Sequence, residues 1–339
     1  MRGLLTPLGT VGLILVVLEG EMELRIEQNR LATIRRYATL AIIPIVAFTA
    51  VASVLGHYYW GGSFRQLTIL IIPFSIISSA IAIPSSAYLN KSTREQTTYE
   101  SSISDIVGVL IFNFAVNNEV ITVASIGFFC FEFILMIIVS IASSILLSLI
   151  LARVKHSVKF TPILVTLVLI YAISKEFHLP ALLFVLLFGL LLSNMSQVAE
   201  IPFMEKFRLR NLVPEIKRFH DIVAEGAFII RSLFFMLFGF YIDLEEVANM
   251  QALPISLTVV GLIYIIRWLT LLVLRFDILP ALFIAPRGLI TILLFVSIPA
   301  ELQSNLFPRE ILIQVILLSA FIMMLGLLFF SSSKGRIRS

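Results

Sequence analysis

Eleven stretches of this chain alternate with short polar segments, and each is apolar over about the length a helix needs to cross a bilayer. They fall near residues 7–24, 38–58, 67–89, 101–117, 122–152, 160–175, 179–194, 222–242, 253–274, 278–298 and 310–331. At 1.5 Å rise per residue, about 20 apolar residues cover the ~30 Å hydrocarbon core. The pattern predicts an all-α polytopic membrane protein with about 11 transmembrane helices. The stretch 122–152 is long enough to tilt strongly or to emerge from the bilayer. The opening "MRGLLTPLGTVGLILVVLEG" has the charge and apolar run of a signal peptide but lacks its small-residue cleavage site, so it reads as the first span.

Composition agrees with the pattern. With 59% hydrophobic and 14% charged residues, the chain lacks the roughly 25% of charged positions that a soluble surface uses. A lone Cys130 makes no intrachain disulfide, and His57, His156, His178 and His220 show no metal-ligand spacing. No cofactor and no resident metal are expected. No Gly-x-Ser-x-Gly or His-Glu-x-x-His motif is present, so a transporter is expected rather than an enzyme.

The net charge of +4 changes the picture only through where it sits. Arg25, Arg30, Arg35 and Arg36 follow the first span, Lys91 and Arg94 the third, and Arg153, Lys155 and Lys159 the fifth. Lys206, Arg208, Arg210, Lys217 and Arg218 follow the seventh, Arg275 the ninth, and Lys334, Arg336 and Arg338 the last. These are 18 of the 25 basic residues, against Arg2, Arg65, Lys175 and Arg309 on the other side. The asymmetry points to topology and not to a nucleic-acid partner. It predicts a multi-pass protein of the cell membrane, N-terminus outside and C-terminus cytoplasmic, with the bilayer as its surroundings. The largest loop, 195–221, reads as a cytoplasmic linker carrying an interfacial helix.

Two spans share a peculiarity. "SAIAIPSSAYL" places Pro84 within the third, and "ALFIAPRGLIT" places Pro286, Arg287 and Gly288 within the tenth. Proline removes a backbone donor and crowds the preceding turn, and lipid does not tolerate the exposed backbone that follows. Both helices are expected to be broken where they line an enclosed cavity. Three and ten run in opposite directions, because they are seven places apart in the order of spans and each crossing reverses direction. Spans two to four (38–118) then map onto nine to eleven (253–331) as inverted repeats within one domain, 1–339, with the broken helices crossing at the midplane. A pair of unrelated proline kinks is the plain alternative, and the residues alone leave it open.

"YESSISDIVGVLIFNF", residues 99–114, keeps Asp105 in a span, where a carboxylate is unfavourable by roughly 2.5–3.5 kcal/mol on insertion scales. Asp105 lies one short hairpin beyond Pro84 and can face the break. A carboxylate there can load a proton or a small hard cation, with Ser104, Ser85, Ser86 and freed carbonyls completing an oxygen shell. Arg287 needs a counter-charge, and Glu100 is its expected partner in a structural ion pair. Arg267 and Arg231 either cap cavities or snorkel to a surface. Glu132, Glu19 and Glu21 carry weaker signals.

Three stretches, "VGLILVVLEGEMEL", "YESSISDIVGVLIF" and "APRGLIT", together with "FHLPALLFVLLFGLLLSN", make the chain resemble the monovalent cation:proton antiporters of the sodium/proton exchanger type. The similarity extends over nearly the whole chain. It implies proton exchange for Na+, or K+ or Li+, by alternating access, with Asp105 as the carrier and Ser104 where the family has Asn. It also implies the Glu100–Arg287 pair and a homodimer. The family's break reads Thr-Asp-Pro, and here Ala82-Ile83-Pro84 stands in its place. By the same resemblance the chain begins at the family's third helix, about two helices short at the N-terminus. A non-transporting paralogue that keeps the fold is the competing reading.

Overall fold

The computed structural model describes residues 2–24, 31–120, 122–153, 160–176, 181–198, 213–303 and 308–335. Its helices are α1 (Arg2–Met22), α2 (Leu31–Trp60), α3 (Phe64–Ser75), α4 (Ser79–Ser85), α5 (Lys91–Asn117), α6 (Val123–Arg153) and α7 (Phe160–Glu176). They continue with α8 (Ala181–Ser193), α9 (Met195–Val198), α10 (Val213–Tyr241), α11 (Leu244–Val247), α12 (Leu253–Val273), α13 (Leu289–Val296) and α14 (Arg309–Gly335). No strand occurs among the described residues. Every apolar window coincides with a helix or with an interrupted one. Six spans among the described residues, 32–59, 64–85, 91–117, 123–143, 253–273 and 309–330, are individually long and apolar enough to cross a membrane. Of the expected cytoplasmic linker, residues 199–212 lie outside the described residues.

The chain divides into two compact units, one of residues 1–28 and 120–237, the other of 29–119 and 238–339. In the first, α8 is the central helix, packed by α1, α6 and α7. Its sequence is apolar on all sides, as a helix surrounded by others must be. A Cβ at Gly189 would come 2.9 Å from the Glu21 Cβ and 3.2 Å from the Leu18 carbonyl, so glycine lets α1 approach. Glu19 of α1 and Arg231 of α10 form an ion pair here.

The second unit contains both expected repeat halves. In it α2 packs against α3, α5 and α12, while α12 packs against α14. The third span is interrupted as expected, yet not at Pro84. Helix α3 ends at Ser75, residues 76–78 are extended, and Pro84 sits inside α4. The tenth span is a turn over 279–283, a non-helical run over 284–288 that includes Pro286, and then α13. The two interrupted segments meet in contact: the Ser78 N–H donates to the Pro286 carbonyl at 2.9 Å. Ile77, Ala82, Ile284 and Ala285 form one buried apolar cluster around that crossing.

Helix α5 starts well before its apolar window. Asn90 caps it, its side chain accepting from the Thr93 N–H at 2.7 Å, and the polar run 91–100 is its first part. Asp105 therefore lies near the middle of α5 and not four residues from its start.

Candidate functional site

Ending α3 at Ser75 and restarting the helix at Ser79 releases backbone groups that a membrane interior leaves without water. Three of the freed N–H groups and two of the freed carbonyls have specific partners in the second unit. The Ile77 N–H donates to Ser104 Oγ at 3.0 Å, the Ser78 N–H to the Pro286 carbonyl at 2.9 Å, and the Ser79 N–H to Asp105 Oδ2 at 3.2 Å. On the other side of the gap, Arg287 donates from Nε to the Phe74 carbonyl at 2.6 Å and from Nη2 to the Ser75 carbonyl at 3.4 Å. Its Nη1 donates to the Ala285 carbonyl at 2.9 Å. The acid thus faces the positive end of α4 and the guanidinium the negative end of α3, the sense in which charge and helix dipole attract.

Helix α5 presents this face by spacing. Ser104, Asp105 and Gly108 follow one another at intervals that keep them on one side of a helix. Gly108 is needed for the approach, since a Cβ there would lie 2.3 Å from Ile76 Cδ1. Asp105 is 3% exposed, and its second oxygen, Oδ1, has no hydrogen-bond partner. Four buried hydroxyls among the described residues, those of Thr49, Ser78, Ser102 and Thr291, are likewise without partners. Buried polar atoms of this kind ordinarily have a protein, water or ion partner.

Glu100 does not pair with Arg287. Both its oxygens accept from Arg267 of α12, which also donates to the Ala281 carbonyl from Nε at 3.0 Å and from Nη2 at 2.7 Å. Glu100 and Arg267 are each almost wholly buried. Sequence reasoning gave Arg287 an acid because a buried cation needs compensation. The helix-end carbonyls supply it instead, and the carboxylate goes to the arginine that only the folding of α12 against the rest brings near. A small cavity, with room for about one water, opens between Ser75, Ser104, Arg267 and Arg287.

Ser85 and Ser86 are not brought to Asp105. They lie at the far end of α4, roughly 9 Å along its axis from Ser79, and Ser86 Oγ donates to the Ile83 carbonyl at 2.8 Å. Pro286 and Gly288 are at the crossing. A Cβ at Gly288 would lie 2.8 Å from Ser78 Oγ and 2.6 Å from Ile81 Cδ1, so a side chain here would displace those of Ser78 and Ile81. Sequence reasoning missed Ser78, Ser79, Thr291 and Ser319. The first two adjoin a break that follows Pro73 and not Pro84, and the others are lone hydroxyls in apolar helices. Among the described residues, no group of three or more His, Cys, Asp or Glu side chains is placed to hold a metal ion.

The family model described as "Sodium/hydrogen exchanger, transmembrane" matches residues 5–331. Comparison with curated proteins finds no match. A solved structure of the sodium proton antiporter MjNhaP1 from Methanocaldococcus jannaschii at pH 8 superposes with a TM-score of 0.69 at 16% identity, covering 96% of this chain and 85% of that one. An electron-microscopy map structure of the same antiporter gives 0.66 at 15% identity, covering 98% and 84%. At these identities the likeness is one of fold.

Proposed function

Because the chain belongs to the sodium/hydrogen exchanger family, we propose that it exchanges protons for a monovalent cation, Na+ before K+ or Li+, with Asp105 binding either ion. The observation that carries this reading is a buried carboxylate at the crossing of two broken spans, with one oxygen fixed on the Ser79 N–H and the other unpartnered. The fixed oxygen orients the group. The free one is available to a proton or to a cation, and one carboxylate holds one of them at a time.

The ordinary alternative for a buried acid is a structural ion pair, and Glu100 with Arg267 has taken that role. Arg287 is engaged by carbonyls. One exchanging carboxylate moves one positive charge in each direction, which makes the exchange one for one. In the proposed cycle α3, α4, α5 and residues 278–296 open alternately to the two sides, the arrangement of transporters that bind ions at half-helix ends. The protein works as a homodimer in the cell membrane, with its N-terminus outside and its C-terminus in the cytoplasm.

A second reading, a non-transporting paralogue, rests on one observation. The gap between α3 and α4 is Ile76-Ile77-Ser78, with no acid of its own. Proton movement in inside-out vesicles, measured over a grid of pH and Na+ or K+ concentration, separates the two. A cation that binds only the ionised carboxylate must make protonation harder. The pH of half-maximal exchange should therefore fall by up to about one unit per tenfold rise in cation once most sites are occupied. A pH profile fixed over a hundredfold cation range would reject the shared site, and absence of cation-dependent proton movement would favour the paralogue.

A further inference from the structure

The unpartnered hydroxyl of Thr291 belongs to the second repeat, yet its helix directs it to the break of the first. Two contacts on the same side of α13 fix this. Gly288, three residues before Thr291, abuts Ser78, and Phe295, four residues after it, meets Phe74 edge-on with ring centroids 6.1 Å apart. Residues at three and four apart share a helix face. Thr291 therefore sits over the segment 74–78, next to the gap that Asp105 closes from α5. Thr291 is wholly buried, Ser78 is 1% exposed, and neither hydroxyl has a partner.

We propose that Thr291 Oγ1 and Ser78 Oγ are ligands of the cation that Asp105 holds, so that the ion is bound by oxygens from both repeats. The proposal rests on the exchange reading above and adds to it the neutral half of the coordination shell. A partly dehydrated monovalent cation needs several oxygens, and a lone carboxylate oxygen does not replace the water it loses. Two hydroxyls provide dipoles without adding charge, so they tune cation affinity and leave the proton count at one. Ser85 and Ser86, at the other end of α4, do not reach this place.

The test uses the full chain in proteoliposomes, with Na+ and K+ as the probes. Thr291→Val keeps the shape and removes the hydroxyl. It should raise the Na+ concentration for half-maximal exchange about tenfold, as loss of a bond to a charged group does, while the maximal rate stays near the parent's. Thr291→Ser should restore the parent value. Ser78→Ala should act in the same direction, and calorimetric Na+ titration of the purified protein should show the same loss.

An unchanged half-saturation in Thr291→Val and Ser78→Ala, with exchange still abolished in Asp105→Asn, would overturn the coordination proposal and leave the exchange reading standing. Exchange retained in Asp105→Asn would remove both. A fall in thermal stability with no change in half-saturation would mark Thr291 as a packing residue only and would also overturn the proposal. If Thr291→Val does not fold, Ser78→Ala and Thr291→Ala carry the same comparison.

Discussion

In the first repeat the freed N–H of Ile77 is taken by the hydroxyl of Ser104 on α5. In the second the freed N–H of Arg287 is taken by the hydroxyl of Ser319 on α14, at the same 3.0 Å. The third helix of each repeat thus holds its own broken span through a serine. The next residue differs: Asp105 follows Ser104, whereas Ala320 follows Ser319. The second break contributes Arg287 instead, and that guanidinium is spent on the end of α3. Both signs of charge therefore address the first break, and the second supplies backbone, a close-approaching glycine and hydroxyls. Two broken spans give the crossing its geometry, and only the first is met by a buried carboxylate.

The largest effect should come from moving the acid between the copies. Combining Asp105→Ala with Ala320→Asp preserves the number of carboxylates and the paired serines, yet should abolish cation-dependent proton movement, because α4 then lacks the carboxylate that takes the Ser79 N–H. Exchange by that double variant in vesicles would mean the repeats are interchangeable.

Next in size is the buried ion pair. Removing Glu100 or Arg267 alone leaves a stranded charge at a cost of about 3–5 kcal/mol, and removing both should cost less than the sum. The same cycle run on Glu100 and Arg287 should show much weaker coupling, since their hydrogen bonds go elsewhere. Melting of the purified protein decides it, and the reverse order of couplings would restore the pairing expected from sequence.

The paired serines give a smaller and sharper contrast. Ser104→Ala and Ser319→Ala each leave one buried N–H without its acceptor, at about 1–3 kcal/mol apiece. Their stability losses should be similar. Cation half-saturation should shift only in Ser104→Ala, because Ser104 adjoins Asp105. The smallest effect is expected at Pro84. The break lies at residues 76–78, so Pro84→Ala should change stability by under about 1 kcal/mol and leave exchange near the parent rate. Loss of transport in that variant would return the proline to a role in the break.

Much of the site was legible because its cost is visible in one dimension. Asp105 in an apolar run, and Pro286, Arg287 and Gly288 in another, violate the membrane pattern, and both runs do meet at the crossing. The break of the third span was misplaced because its cause is not local. Ile76 and Ile77 are ordinary helix-compatible residues in a membrane span, and they are extended because Ser104, Pro286, Asp105 and Arg287 satisfy the groups that leaving the helix exposes. The proline at position 84 was the misleading cue, while Pro73, two residues before the end of α3, stands nearer the break. The partner of Glu100 was missed for the same kind of reason. Arg267 is 167 residues away, and nothing in its own surroundings, "YIIRWL", says which acid it meets.

The sequence by itself determined the spans, the basic asymmetry of the loops and the presence of an acid that hydrocarbon alone would not keep, because each of these is a property of composition along a single helix. Tertiary structure decided where the third span opens, which arginine holds Glu100 and which backbone N–H Asp105 accepts from. Those depend on matching backbone donors and acceptors between segments far apart in the chain, and a buried polar group takes the partner that packing brings within about 3 Å, not the one its own neighbours suggest.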